Sequence, residues 1–225
     1  MRLILLLLFS FSFALVALVS AQKTGEQNPF EPEIRRYEAE DAIHPPAKGG
    51  ILFVGSSSIA RWTTLREDFS GYNVLNRGFG GSQISDSVYF ADRIVIPYAP
   101  RMIIFFAGTN DLAGGKSAAT VFEDYKRFVS KVRQALPKVV IAYISISPAP
   151  SRWANLDRVK EANRLIKGYA LDHPKLLFVD VFSEMLTKDG GPRPELFVSD
   201  RLHLNSQGYA IWVKAIKKIL PPVRG

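Results

Sequence analysis

Ile51-Leu52-Phe53-Val54-Gly55-Ser56-Ser57-Ser58 is the stretch from which the rest of this chain can be read. Four apolar residues without alternation suit a short strand buried on both faces of a sheet. The glycine ends it. Three hydroxyls follow where a helix is expected, because Ile59, Trp62, Leu65 and Phe69 recur at helical spacing. Open α/β sheets place their sites at the carboxyl ends of strands. A serine there becomes a nucleophile only if the chain supplies a base, an acid to orient it and donors for an oxyanion. The stretch itself leaves all three serines open.

The same alternation continues downstream. Val74–Asn76 reads as a second strand, and Ile84, Val88, Ala91 and Val95 form a helical stripe. Met102–Phe106 is a third strand. Val121–Leu136 is helical and stops before Pro137, and Val139–Ser145 is a fourth strand. Leu156–Leu171 is a helix before His173-Pro174, Leu176–Val179 a fifth strand, and Ser206–Leu220 a last helix ending at Pro221-Pro222. Strands alternating with helices predict an α/β fold, a parallel sheet of five strands between helical layers.

The first residues read differently. Arg2 precedes an apolar run, Leu3–Val19, which ends in Val19-Ser20-Ala21. A charged start, an apolar centre and small residues at the cleavage positions predict a signal peptide over residues 1–21, and hence a secreted or periplasmic protein with no stable membrane anchor after removal. The alternative is a membrane anchor, for which about 17 residues is the short limit. Residues 22–48 are expected to be an extension with one short helix, since Phe30, Ile34 and Tyr37 fall at i, i+4, i+7. Residues 49–222 then form a single domain.

Among 225 residues there is no cysteine, which excludes a thiol nucleophile, a thiolate metal site and disulfide support. The net charge of +8 comes from scattered residues, the longest basic runs being the pairs Arg35-Arg36 and Lys217-Lys218. Nucleic-acid binders concentrate such charge in a patch or stripe, so no nucleic-acid partner is expected. Oligomeric state is not readable.

Three further segments carry chemistry. His203 is one of only three histidines and has Asp200 three residues upstream in a loop. That spacing lets the carboxylate take one ring nitrogen and leaves the other for a hydroxyl; a histidine merely preceding the helix from Ser206 is the alternative. His44, in a proline-rich segment, and His173, before Pro174, read as surface residues. Asn76-Arg77-Gly78-Phe79-Gly80-Gly81-Ser82 suggests a phosphate cradle, a turn presenting an N–H, or a plain turn. A dinucleotide fingerprint fails, since Gln83 stands where the third glycine belongs. Gly108-Thr109-Asn110-Asp111 is either a turn and helix cap or the source of a side-chain amide donor.

Gly-x-Ser after a strand, then glycine, then Gly-x-Asn, then Asp-x-x-His, in that order over roughly residues 50–220, resembles the SGNH hydrolases, also called GDSL esterases. The resemblance implies a flavodoxin-like three-layer α/β/α sandwich with a five-stranded parallel sheet. It implies catalytic Ser57, His203 and Asp200 as nucleophile, base and orienting acid. It also implies an oxyanion hole formed by the N–H groups of Ser57 and Gly81 and the amide of Asn110, with neither metal nor cofactor. One departure is that Ser56 stands where most members have aspartate. Ser56 is expected to cap the following helix through its hydroxyl.

The expected function is that of an exported serine esterase acting on short-chain esters, acetyl above all, on a small molecule or a carbohydrate. No long lid insertion is visible. Trp62 is expected in the core and Trp153, after Ser147-Pro148-Ala149-Pro150, at the cleft rim. The alternatives are a glycan- or protein-binding module on the same fold, and acyl transfer to a sugar hydroxyl.

Overall fold

The strands form where apolar, β-branched and aromatic residues run without interruption, and each is bounded by a turn residue. The computed structural model describes residues 28–222, so the expected signal peptide lies outside the described residues. Five strands make one sheet: β1 (Ile51–Gly55), β2 (Val74–Gly78), β3 (Met102–Phe106), β4 (Val140–Ile144) and β5 (Leu176–Val179). They are parallel and ordered β2-β1-β3-β4-β5. The three-layer α/β/α sandwich expected from the sequence is what forms. Successive connections leave β1 in one direction and return on its other side at β3, which opens a crevice beyond the carboxyl ends of β1 and β3.

Strand alternation sends side chains to two cores. On one face Leu52, Val54, Ile103, Phe105, Ile141 and Tyr143 meet the helices α1 (Glu31–Ile43), α4 (Ile84–Ile94), α6 (Ala118–Ala135) and α7 (Leu156–Asp172). On the other, Ile51, Phe53, Ile104 and Phe106 meet two short helices, α2 (Ser57–Ala60) and α3 (Leu65–Asp68), and the last helix, α8 (Ser206–Lys217). One more short helix, α5 (Thr109–Ala113), is a single turn after β3 on the crevice side. Trp62 and Trp212 are among the largest fully buried side chains, with ring centroids 5.8 Å apart. Burying a side chain of that size is worth roughly 2–3 kcal/mol.

The single helix expected over Ile59–Phe69 is two short helices instead. Ile59, Trp62, Leu65 and Phe69 are still all buried. The break falls at Thr63-Thr64, where Asp68 accepts hydrogen bonds from the Trp62 indole and the Thr64 hydroxyl, both at 2.7 Å. These side-chain bonds fold the segment into a turn with the same buried face.

The helix expected around Phe30, Ile34 and Tyr37 extends to 13 residues. It belongs to the core: Ile34 and Tyr37 are buried, and the Tyr37 hydroxyl donates to the Gly78 carbonyl at the end of β2. Arg77 of β2, itself buried, pairs with Asp41 of α1 and donates to the Tyr98 hydroxyl at 2.7 Å. Its guanidinium also lies over the Tyr37 and Tyr98 rings, 4.6 and 4.9 Å from their centroids. Burial pushes both tyrosines up to about 12, so they stay neutral donors at any ordinary pH. Among the described residues no helix is long and apolar enough to cross a membrane.

Candidate active site

Gly55 turns the chain from β1 into α2. Its φ is +135°, and a Cβ built on it would lie 1.9 Å from the Phe106 carbonyl oxygen of the adjacent strand. Only glycine fits this approach. The Ser56 N–H then donates to that same carbonyl at 2.9 Å. Ser56 occupies the N-cap of α2, yet its hydroxyl makes no capping bond, contrary to expectation. Its carbonyl, which accepts from Ile59 and Ala60 N–H groups at 2.9 and 3.1 Å, closes the turn instead. The backbone therefore holds this turn without help from the side chain at position 56.

Ser57 opens α2, and its hydroxyl lies 2.9 Å from His203 Nε2. Nδ1 of His203 lies 2.6 Å from Asp200 Oδ2, while Asp200 Oδ1 accepts the Leu202 and His203 N–H groups, both at 2.9 Å. The carboxylate is thus folded back onto its own loop and onto the imidazole together. Arg201 between them takes a left-handed φ of +57°, the local strain that lets the loop close. The loop is anchored at both ends. Val198 N–H donates to the His203 carbonyl at 2.8 Å, and Asn205 caps α8 by accepting Gln207 and Gly208 N–H groups. From α8, the Tyr209 hydroxyl donates to the Ser58 carbonyl at 2.9 Å and ties histidine loop to serine turn.

Burial opposes the charge on Asp200, but the hydrogen bonds from His203 and from the Leu202 and His203 N–H groups outweigh it and hold the carboxyl at about 2. It is ionised wherever an imidazole can act as a base. The acid limb of a kcat/KM profile is therefore expected to show a single inflection above pH 3. A second inflection there in the wild type would show that Asp200 also titrates in the working range.

Gly81 follows β2 in a left-handed conformation, φ +80°. A Cβ there would meet nothing closer than the Phe30 ring at 3.9 Å, so conformation and not space demands the glycine. The N–H groups of Ser57 and Gly81 have no acceptor among the described residues. Asn110, in α5, spends one amide hydrogen on the Ser82 carbonyl at 3.0 Å and keeps the other. Serine hydroxyl, imidazole, carboxylate and three donors of this kind can activate an alcohol for attack on a carbonyl and hold the oxygen that becomes negative.

Asp111 had no role in the sequence reading beyond a turn or cap. It is fully buried beside Asn110 and accepts the Ile84 N–H on both oxygens at 3.2 Å. Lys116 meets it at 2.9 Å and reaches Asp124 at 2.7 Å. Burial raises the Asp111 carboxyl and the Lys116 ammonium works against that rise. Asn110 and Asp111 together grip Ser82 and Ile84, so the segment after Gly81 is held from β3. The only trace in the sequence is an acid next to Asn110; its burial depends on how α4 and α6 pack.

A narrow pocket opens beside Ser57, lined by Ser56, Ser58, Phe106, Asn110, Ser147 and Leu202 among others, with about 10 Å³ of open volume. A larger cavity of about 590 Å³ lies against β2, near His44, Arg66 and Tyr72, and touches none of Ser57, Gly81, Asn110, Asp200 and His203. Trp62 is buried, as expected. Trp153 is half-buried in a 3-10 turn, Pro150–Asn155, whose Ser151 N–H donates to the Arg201 carbonyl at 3.1 Å, beside the histidine loop. His173 and His44 stand apart from the site: His173 Nδ1 lies 2.8 Å from the Tyr169 carbonyl, and His44 is exposed after α1. Among the described residues no group of three or more histidine, aspartate or glutamate side chains is placed to hold a metal ion.

A family model for GDSL-like lipases/acylhydrolases matches residues 54–211, from the end of β1 into α8. The chain belongs to that family. It is accordingly a hydrolase of carboxylic esters. A GDSL-like lipase from Bacteroides thetaiotaomicron superposes with a TM-score of 0.69 at 23% identity, covering 82% of this chain and 95% of its own. A lipase/acylhydrolase from Enterococcus faecalis gives 0.64 at 21%, covering 79% and 100%. A carbohydrate esterase family 3 protein from Talaromyces cellulolyticus gives 0.61 at 18%, covering 76% and 95%. At these identities the likeness speaks for the fold. No curated protein matches the chain.

Proposed function

We propose that this GDSL-family hydrolase is an exported serine esterase that removes short acyl groups, acetyl foremost, from small molecules or carbohydrates. The observation that carries the reading is the continuous relay from Ser57 Oγ through His203 to Asp200. His203 takes the Ser57 proton as Oγ attacks the ester carbonyl. Asp200 holds the ring in the tautomer that presents a lone pair on Nε2 and stabilises the imidazolium that forms. The oxyanion is received by the Ser57 and Gly81 N–H groups and the free amide hydrogen of Asn110. The imidazolium returns its proton to the leaving alcohol, and an acyl-enzyme on Ser57 remains. Water, deprotonated by His203, then attacks the acyl carbonyl and releases the acid. No step needs a cofactor.

Asn110→Ala is expected to lower kcat by about 10²–10³-fold with little change in KM, because the donor acts mainly on charge that develops in the transition state. Single-turnover measurement of both constants tests this. An unchanged kcat would remove Asn110 from the oxyanion hole.

The short-acyl part of the reading rests on the narrow pocket beside Ser57. Export rests on the charged start, apolar run and Val19-Ser20-Ala21 ending. A carbohydrate ester as substrate is in keeping with Trp153 beside the histidine loop. The test is a nitrophenyl ester series from acetyl upward, run beside acetylated polysaccharides. Preference for acyl chains of eight or more carbons would overturn it.

A further inference from the structure

The geometry points to Phe30, in the N-terminal extension, as the residue that positions the Gly81 N–H for the oxyanion. The proposal rests on the esterase reading above and concerns the same oxyanion hole.

Gly81 sits in the least restrained part of the site. The two ends of its turn are fixed: the Phe79 N–H donates to the Gly55 carbonyl at 2.9 Å, the Ser82 hydroxyl to the Phe79 carbonyl at 2.9 Å, and Asn110 to the Ser82 carbonyl at 3.0 Å. Between them Gly80 and Gly81 are both exposed, and neither gives or accepts a hydrogen bond among the described residues. Glycine has more backbone freedom than any other residue, and here two stand together. An oxyanion donor works by being in place before the charge develops. A Cβ built on Gly80 would have no atom within 4 Å; one built on Gly81 would have, chain neighbours aside, only Cε1 of Phe30 at 3.9 Å. The Phe30 ring is thus the wall against which this turn rests.

The wall is itself well held. Phe30 meets the fully buried Phe79 edge-on, with ring centroids 5.3 Å apart. Its N–H donates to Asn28 Oδ1 at 3.1 Å, and its carbonyl accepts the Ile34 N–H at 3.1 Å, so it starts α1 with a fixed backbone. α1 is tied to both sides of the turn. Ahead of it, Tyr37 donates to the Gly78 carbonyl; behind it, Glu31 and Glu38 hold Arg93 of α4 at 2.8 and 2.6 Å. The family match begins at residue 54, whereas α1 ends at Ile43, so this support comes from outside the matched segment. Phe30 acts through Gly81 and is a positioning residue.

Phe30→Ala is expected to lower kcat by about tenfold with KM little changed, a fraction of what losing one donor outright costs. It is expected to weaken inhibition by a boronic acid by the same factor, because the tetrahedral adduct on Ser57 puts an oxygen in the oxyanion hole. Phe30→Tyr keeps the ring and its Cε1 and is expected to restore both values. Ile34→Ala removes a buried side chain one turn along the same helix and away from Gly81; it is expected to lower the melting temperature and leave kcat and boronate affinity unchanged. If Phe30→Ala does not fold, Phe30→Leu carries the comparison, with a smaller fall in both. Wild-type kcat and boronate affinity in a folded Phe30 variant would overturn the proposal. So would a raised KM at unchanged kcat, or an Ile34→Ala variant that loses kcat as Phe30→Ala does, the loss then following from a weakened α1 alone. A wild type with no ester turnover and no labelling by a fluorophosphonate would overturn the esterase reading and the proposal with it; with the wild type active, the variants bear on the proposal alone.

Discussion

Ser57→Ala is expected to abolish ester hydrolysis, lowering kcat by about 10⁴-fold or more, and to abolish covalent labelling by a fluorophosphonate. The hydroxyl is the atom that forms the acyl-enzyme, and no neighbouring group can replace it. Ser56 is 2% exposed and its N–H is committed to the Phe106 carbonyl, whereas Ser57 alone of the three serines meets His203. In enzymes that use a serine–histidine–acid relay, loss of the serine leaves only what the oxyanion donors and binding supply. The fold is expected to survive, since Ser57 is half-buried and its hydroxyl bonds only the imidazole. The measurement is steady-state kinetics beside a melting curve. A folded variant that keeps more than a hundredth of wild-type kcat would move the nucleophile elsewhere.

Gly55→Ala is expected to have the largest effect on stability, about 3 kcal/mol or more, and to leave little folded protein. Two independent penalties coincide. The backbone has φ +135°, outside the range of L side chains, and the added methyl would stand 1.9 Å from the Phe106 carbonyl oxygen. Neither relaxes cheaply, because that oxygen belongs to a buried central strand and accepts the Ser56 N–H. For a domain of this size such a loss lowers the melting temperature by about 6–12 °C or more. Melting within 2 °C of the wild type would show that the β1–β3 approach is looser than it stands.

The architecture was legible because it rests on local patterns. Met102–Phe106 and Leu176–Val179 are strands as expected, since uninterrupted apolar runs bounded by turn residues have few other uses. Pro137, Pro174 and the Pro221-Pro222 pair ended helices near where they were expected to. The split at Thr63-Thr64 was not legible. Periodicity reports which side chains face the core, and two short helices with a turn can bury the same four residues as one long helix.

Of the candidate site, the sequence order of Ser57, Gly81, Asn110, Asp200 and His203 was readable, and so was the pairing of Asp200 with His203, because three residues of loop suffice to close it. That Ser57 and His203 meet is a separate matter, for they stand 146 positions apart in the chain. Their contact depends on β1 and α8 being neighbours on one face of the sheet, on Gly55 passing against β3, and on Tyr209 reaching Ser58. Asp111 was illegible for a related reason. It matters through burial, paired with Lys116, and burial is a property of the packed layers.

Taken alone, then, Ile51–Ser58 determined a buried strand, a glycine turn and three hydroxyls at the carboxyl end of a parallel sheet, since these follow from residue type and spacing. Which hydroxyl meets the imidazole, whether serine at position 56 leaves that aim intact, and which polar groups stay unpaired beside it were decided only by tertiary structure. They rest on contacts between residues far apart in the chain, and local pattern carries no information about those distances.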